Sequence, residues 1–209
     1  MLDGYTSDKE QVESIRKWWD ESGKGIVLAI VLGLAIGFGW KYWHQLQIRR
    51  AENASVVYQS VLQADMQNHL SKAQGGATIL MTRFSGTPYA SLAGLLFAKE
   101  AVAQNNLPLA LSKLEWVISH SHSPQLKQIA QLSAARILLS QGNTTAALAQ
   151  LKTLSSKQFQ PAEDWIKGDI YSKEGDVKKA KAHYQSAQSA LQGFSEADAA
   201  LTAQLANLP

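Results

Sequence analysis

Cysteine is absent from the 209 residues. That excludes disulfides, thiolate metal sites, a cysteine nucleophile and a lipid carried on cysteine. An excess of one charge is also lacking: 20 Lys and Arg stand against 17 Asp and Glu, for a net charge of +3. The cations are scattered, so the footprint of a nucleic-acid binder is missing. Runs that alternate apolar and polar residues do not occur after Ala51, which removes the signature of half-buried strands. The run "GLAIGFG" shares letters with a phosphate-binding loop but lies inside an apolar segment, where no phosphate would be held. No carboxylate pair sits among apolar residues for acid–base work. Only His120 and His122 of the five histidines fall close together, and two ligands among serines with no third read as a solvated turn rather than a metal site. No catalytic, metal or cofactor site is therefore assigned. A hydrolase would require the fold to bring distant Ser, His and acidic side chains together.

The most informative stretch is "GKGIVLAIVLGLAIGFGWKYW", residues 23–43. The 16 residues between Lys24 and Lys41 carry no charge, slightly short of a full spanning helix, and the flanks extend them. Trp18 and Trp19 precede the run; Trp40, Tyr42 and Trp43 follow it, so four of the six tryptophans bracket one segment. Indole prefers the headgroup level, where its apolar body and its N–H are both satisfied. At the helical rise, Trp19 to Trp40 covers roughly 31 Å, the thickness of a hydrocarbon core. Lys24 and Lys41 can snorkel outward from the same belts. The run ends in bulky Gly39-Trp40-Lys41-Tyr42-Trp43, a poor site for signal cleavage, so it reads as a retained anchor. Lys9, Arg16, Lys17 and Lys24 precede it and Lys41, Arg49 and Arg50 follow, a small excess that favours a cytoplasmic N-terminus. Ala29, Gly33 and Gly37 form a small-residue stripe on which another helix could pack. In the tail, Ser7 and Glu10 match a capping box. Val12, Ile15 and Trp19 follow at helical spacing, as in a short amphipathic helix running into the anchor.

From Ala51 onward, Ala and Leu recur at helical spacing and helix starts are frequent: Thr87-Pro88, Asn106-Leu107-Pro108, Ser123-Pro124, Asn143 and Asp176. A period is visible. Gly168, Tyr171, Gly175, Ala180, Tyr184 and Ala187 are matched 33 residues earlier by Ala135, Leu138, Gly142, Ala147, Leu151 and Leu154. A further 37 residues back stand Ala98, Ala101, Asn105, Ala110, Leu114 and Val117. Small residues recur where two helices cross, and larger apolar ones where the next pair stacks, the pattern of a tetratricopeptide-type helix pair. An earlier pair over residues 51–83 fits through Ala73, and a terminal helix from Ser195 covers the open end. The fold class predicted is all-α: a single N-terminal transmembrane helix followed by a tetratricopeptide-like superhelix. The division is a tail at 1–22, an anchor at 23–43 and a repeat domain at 44–209.

In such a superhelix the first helix of each pair lines an inner groove. The expected lining is Leu92, Leu95, Lys99 and Val102, then Leu132, Arg136 and Leu139, then Trp165 and Asp169. That is a mostly apolar trough suited to an extended or helical peptide.

The combination resembles the ancillary subunit of the bacterial SecYEG translocon, the YfgM family. The resemblance is carried by Gln11-Val12-Glu13, Gly23-Lys24, Gly39-Trp40-Lys41-Tyr42-Trp43, Ala54-Ser55 with Tyr58, Tyr89-Ala90-Ser91-Leu92-Ala93, Ala135-Arg136 and Gly168-Asp169, in this order over nearly the whole chain. It implies a bacterial inner-membrane protein with a periplasmic C-terminal domain. Implied partners are the SecYEG translocon, a membrane-anchored periplasmic chaperone of the parvulin-like PpiD type, and exported polypeptides handed to periplasmic chaperones. It also implies an alternative, a regulatory adaptor that acts through its cytosolic tail on the response regulator of the Rcs envelope-stress phosphorelay.

Overall fold

A computed structural model describes residues 4–208, and side chains within that range except at 4–11, 20–22, 24 and 26. The side chains of Ser7, Glu10 and Lys24 therefore lie outside the described residues. The order is α1 (Gly4–Met66), α2 (Leu70–Arg83), α3 (Pro88–Ala103), α4 (Leu107–His120), α5 (Pro124–Ser140), α6 (Thr144–Leu151), a 3-10 turn (Lys157–Phe159), α7 (Gln160–Lys173), α8 (Val177–Ala190) and α9 (Ser195–Ala206). No strand occurs among the described residues. The tail, the apolar run and the first helix of the first repeat are thus one 63-residue helix. The chain divides into two compact units, Met1–Arg49 and Arg50–Pro209.

Four of the expected helix starts are capped by the side chain named. Asn106 Oδ1 accepts the Leu109 N–H at 3.2 Å, Ser123 Oγ that of Leu126 at 3.4 Å, Asn143 Oδ1 that of Ala146 at 3.0 Å, and Asp176 Oδ1 that of Lys179 at 3.1 Å. Each satisfies one amide that the helix start leaves unpaired. Thr87 behaves differently. Its hydroxyl donates back to the Phe84 carbonyl at 2.8 Å, while the Ala90 N–H is taken by the carbonyl of Thr87 at 3.2 Å. Pro88 has no N–H to offer, and with the amide three positions on already bonded to the Thr87 carbonyl the hydroxyl makes no cap.

The repeat is set by its turns. Asn68, Asn105, Gly142 and Gly175 hold left-handed backbone, with φ of 57, 57, 82 and 78°. After each, the next amide reaches back to close the preceding helix: His69 N–H to Ala64 O, Asn106 to Ala101, Asn143 to Leu138 and Asp176 to Tyr171, all within 2.8–2.9 Å. This helix-terminating turn needs a residue that tolerates positive φ, which glycine does and asparagine does more readily than other side chains. The intervals are 37, 37 and 33 residues, so the loosely matched first pair keeps the same step as the others.

Packing follows the same step. Ala73, Ala110, Ala147 and Ala180 are all buried. Between the two helices of each pair, residues 16 apart share a core with complementary sizes: Val61 with Ala77, Ala98 with Leu114, Ala135 with Leu151, and Gly168 with Tyr184. Where one side is bulky the other is small, because close-packed interiors hold total volume nearly constant. Among the described residues, fifteen of the 28 buried hydrophobic ones are alanine, so helices cross closely and the apolar interior forms four small clusters rather than one large core. The last cluster is closed by α9, whose Leu201 is fully buried with Ala180, Tyr184 and Ala187.

Candidate functional site

Two surfaces are candidates. The first is the apolar part of α1. From Val27 onward it is long and apolar enough to cross a membrane by length and composition, and none of its apolar window is buried. Trp18, Trp19, Trp40, Tyr42 and Trp43 are exposed, and Lys41 is exposed with them. The Trp40 and Trp43 rings lie 6.0 Å apart, tilted by 44°. Ala29 is exposed, and a Cβ built at Gly33 or Gly37 meets nothing within 4 Å. The stripe is therefore open, with no packing partner among the described residues.

The second surface is a cavity of about 290 Å³ between α3 and α5. Helix α3 contributes Leu95, Ala98, Lys99 and Val102; α5 contributes Ile129, Ser133, Arg136 and Ile137; Leu114 of α4 forms part of the floor. The sequence-derived lining thus converges at Leu95, Lys99, Val102 and Arg136. Leu92 is half-buried on α3 and is not part of the wall. Leu132 and Leu139 are elsewhere: Leu132 is buried among Ala135, Ala147, Leu151, Ile166 and Ile170, and Leu139 packs against that cluster. Trp165 packs on the terminal cluster beside Tyr184 and Leu201.

The reason is geometric. Each first helix carries one face toward the preceding pair and another toward the following pair. On α3 the forward face holds Leu95, Ala98 and Val102; on α5 its equivalents are Leu132, Ala135 and Leu139, which point toward α7. The cavity is completed by the backward face of α5, namely Ile129, Ser133 and Arg136. Helical periodicity marks both faces as apolar and does not say which neighbour each meets. Ile129 and Ser133 could have been found by stepping 37 residues on from Leu92 and Leu96.

Ser133 also explains why the cavity exists. Its equivalents are Leu96, packed against the first cluster, and Ile166, fully buried in the third. At both of those positions a branched side chain occupies the space between consecutive pairs, leaving beside Leu96 only a gap too small for water. At 133 a hydroxymethyl group leaves it open.

Asp169 stands at the step-equivalent of Arg136. Its Oδ1 accepts the Tyr184 hydroxyl at 2.8 Å and the Gln204 amide at 3.1 Å. Burial raises its pKa, and the two hydrogen bonds together with the charge of Arg136 oppose that rise. Tyr184 is pushed up by burial and then by its bond to Asp169. For Arg136, partial desolvation lowers the pKa and Asp169 opposes it, and the guanidinium stays charged at any physiological pH.

The fold does assemble an acid, a histidine and a serine. Asp164 Oδ1 contacts His183 Nδ1 at 2.9 Å, and Asp164 Oδ2 accepts the Ser186 hydroxyl at 2.8 Å. Both partners address the carboxylate, so the serine proton points at Asp164 and not at an imidazole base, which is the wrong order for an activated nucleophile. His183 instead stacks on Tyr171 at 5.4 Å between centroids. His120 stacks on Trp116, and no group of three or more metal-ligating side chains occurs among the described residues.

An unburied apolar helix joined in one chain to stacked helix pairs with an open pocket defines a class: a single-span protein carrying a tetratricopeptide-type interaction domain. The model of the tetratricopeptide repeat-like domain family matches residues 16–209. Three curated relatives are each named ancillary SecYEG translocon subunit. That of Aggregatibacter actinomycetemcomitans is 31% identical, over 88% of this chain and 90% of the relative. That of Haemophilus influenzae is 28% identical over the same shares, and that of Escherichia coli is 25% identical over 87% of each. No solved structure matches the chain significantly. The chain belongs to the ancillary SecYEG translocon subunit family, with a tetratricopeptide repeat-like domain.

Proposed function

We propose that this protein is a membrane-anchored, non-enzymatic interaction subunit that associates with the SecYEG translocon and passes exported polypeptides to periplasmic chaperones, a PpiD-type chaperone among them. In this reading residues 1–22 are cytoplasmic, 23–43 cross the inner membrane and the repeat domain lies in the periplasm. The observation that carries it is one chain holding both an exposed apolar helix and an open, apolar pocket between repeats. An anchor in the same membrane as the channel raises the local concentration of the repeat domain for emerging chains, so weak contacts suffice. The translocon partner is supported by the names of the relatives. The exposed stripe at Ala29, Gly33 and Gly37 is a candidate face for a neighbouring membrane helix. The regulatory alternative draws on the tail at 1–22, of which only the side chains at 12–19 are described.

Photo-crosslinking in living cells tests the proposal. Probes at Leu95, Val102 and Ile129 are expected to capture exported chains and a periplasmic chaperone, whereas probes at Thr78 and Thr82, exposed on α2, are not. Labelling of neither class from the pocket would sink the proposal. Protease added to spheroplasts should digest the repeat domain; protection would reverse the orientation.

A further inference from the structure

The pocket between α3 and α5 is bordered by charge of one sign. One position recurs at the repeat step: Leu62, Lys99, Arg136 and Asp169. Only the middle two border the cavity, and both are cations. No acidic residue is among the lining. Neither Lys99 nor Arg136 makes an ion pair or a side-chain hydrogen bond among the described residues. The acids whose charges reach them, Glu100 and Asp169, lie outside the pocket lining. Asp169 attracts Arg136 through its charge without bonding to it, and it receives Tyr184 and Gln204. Glu100 is buried and faces the opposite side of α3, where it borders a closed space with Val61, Ala77 and Phe97.

Between the two cations the wall is apolar, and Val102 and Ile129 stand 43% and 38% exposed at its edges. The volume lies at the low end for ligand pockets, about 300 Å³, which suits a few side chains of a chain segment rather than a folded surface. We propose that this pocket takes a segment of non-native polypeptide in which a large apolar side chain enters beside Ser133 and a neighbouring Asp or Glu pairs with Lys99 or Arg136. The proposal rests on the reading of the groove as a polypeptide-docking site and adds its selectivity. The apolar contact supplies the affinity, since it removes exposed Val102 and Ile129 from water. The two cations select among segments, because rim charges act mainly on specificity and association rate.

The full chain in nanodiscs is titrated against three fluorescein-labelled twelve-residue peptides. They share a Leu-Phe-Val centre and carry flanks of Asp and Glu, of Ser, or of Lys and Arg. The acidic peptide should bind about tenfold more tightly than the basic one, and the gap should close in about 0.5 M salt, where charges at the rim are screened. Lys99→Glu with Arg136→Glu, both at exposed positions, should reverse the order. Ser133→Ile, which copies Ile166 of the next pair, should weaken all three, and Ser133→Ala should weaken none. Equal binding of the three peptides, or an order unmoved by the charge reversal, overturns the selectivity while leaving polypeptide docking intact. Absence of binding by every peptide overturns both. A dimer that forms through the pocket, detected as a mass doubling removed by Ser133→Ile, also overturns the proposal, since a second copy would then be the occupant.

Discussion

Replacing Gly168 by alanine should loosen the last helix pair although it adds a better helix former. A Cβ at 168 would stand 2.5 Å from Tyr184 Cε1 and 3.0 Å from its Cγ, closer than packed carbons come. Tyr184 is 3% exposed, so the ring cannot swing into solvent without opening the cluster it shares with Leu201. Its hydroxyl would also leave Asp169, now 2.8 Å away. Overpacking of this kind costs about 1–3 kcal/mol. Loss of the hydrogen bond adds about 0.5–1.5 kcal/mol. The gain from removing a helical glycine is about 1 kcal/mol. The expected net loss is about 1–3 kcal/mol, read as a lower urea midpoint by far-ultraviolet circular dichroism of the full chain in detergent. Gly75→Ala is the control: Gly75 is exposed in α2 and its added Cβ meets nothing within 4 Å, so the midpoint should rise. Adding Tyr184→Leu to Gly168→Ala rebuilds the Ala135/Leu151 pair of the preceding repeat and should recover part of the loss, with a coupling of about 0.5–3 kcal/mol. The complementary-size account is refuted if Gly168→Ala raises the midpoint as Gly75→Ala does, or if the second substitution only adds damage.

Other outcomes follow from the same structure. Gly142→Ala places a side chain at φ 82° and should cost about 1–2 kcal/mol in the same urea assay; an unchanged midpoint would contradict the left-handed turn. Glu100 has its pKa raised above the ordinary 4.5, chiefly by burial and then by its contact with Asp65. A raised folded-state pKa means that its contribution to stability is full below 4.5 and is lost as pH rises through the shifted value. Glu100→Gln should therefore be more stable than the parent at neutral pH, with the advantage fading as the buffer is brought below that ordinary value; an advantage that grows in acid would reverse the sign. Ile30→Arg, in the middle of the apolar run, should cost about 2.5–3.5 kcal/mol of insertion and move the protein into the alkaline-carbonate supernatant. A variant that still pellets would count against the span.

Some of this protein was written in its sequence because the interactions concerned are local. A residue that must hold positive φ, a side chain that must cap the amide three positions on, and a small residue where helices cross all depend on neighbours within one turn. Asn105, Gly142 and Gly175, the caps at Asn143 and Asp176, and Ala110, Ala147 and Ala180 were accordingly legible as a period. So was the uncharged run between its tryptophans, because hydrocarbon thickness sets its length whatever lies beyond. Other features depended on which element each face meets. Leu132 and Ile129 are equally apolar in the sequence, yet one is buried toward α7 and the other opens toward α3. Thr87 has a capping residue's chemistry, but its carbonyl takes the Ala90 amide and its hydroxyl turns back to Phe84. Asp164, His183 and Ser186 lie on two helices whose approach no spacing announces. The pocket itself comes from one missing branch at Ser133, seen only by comparison with the places where Leu96 and Ile166 fill the same gap. Local chemistry thus determined that helices would form, where they would end and at what interval they would repeat; tertiary packing alone decided which faces closed and which stayed open, because volume is shared between neighbours and belongs to neither strand of sequence by itself.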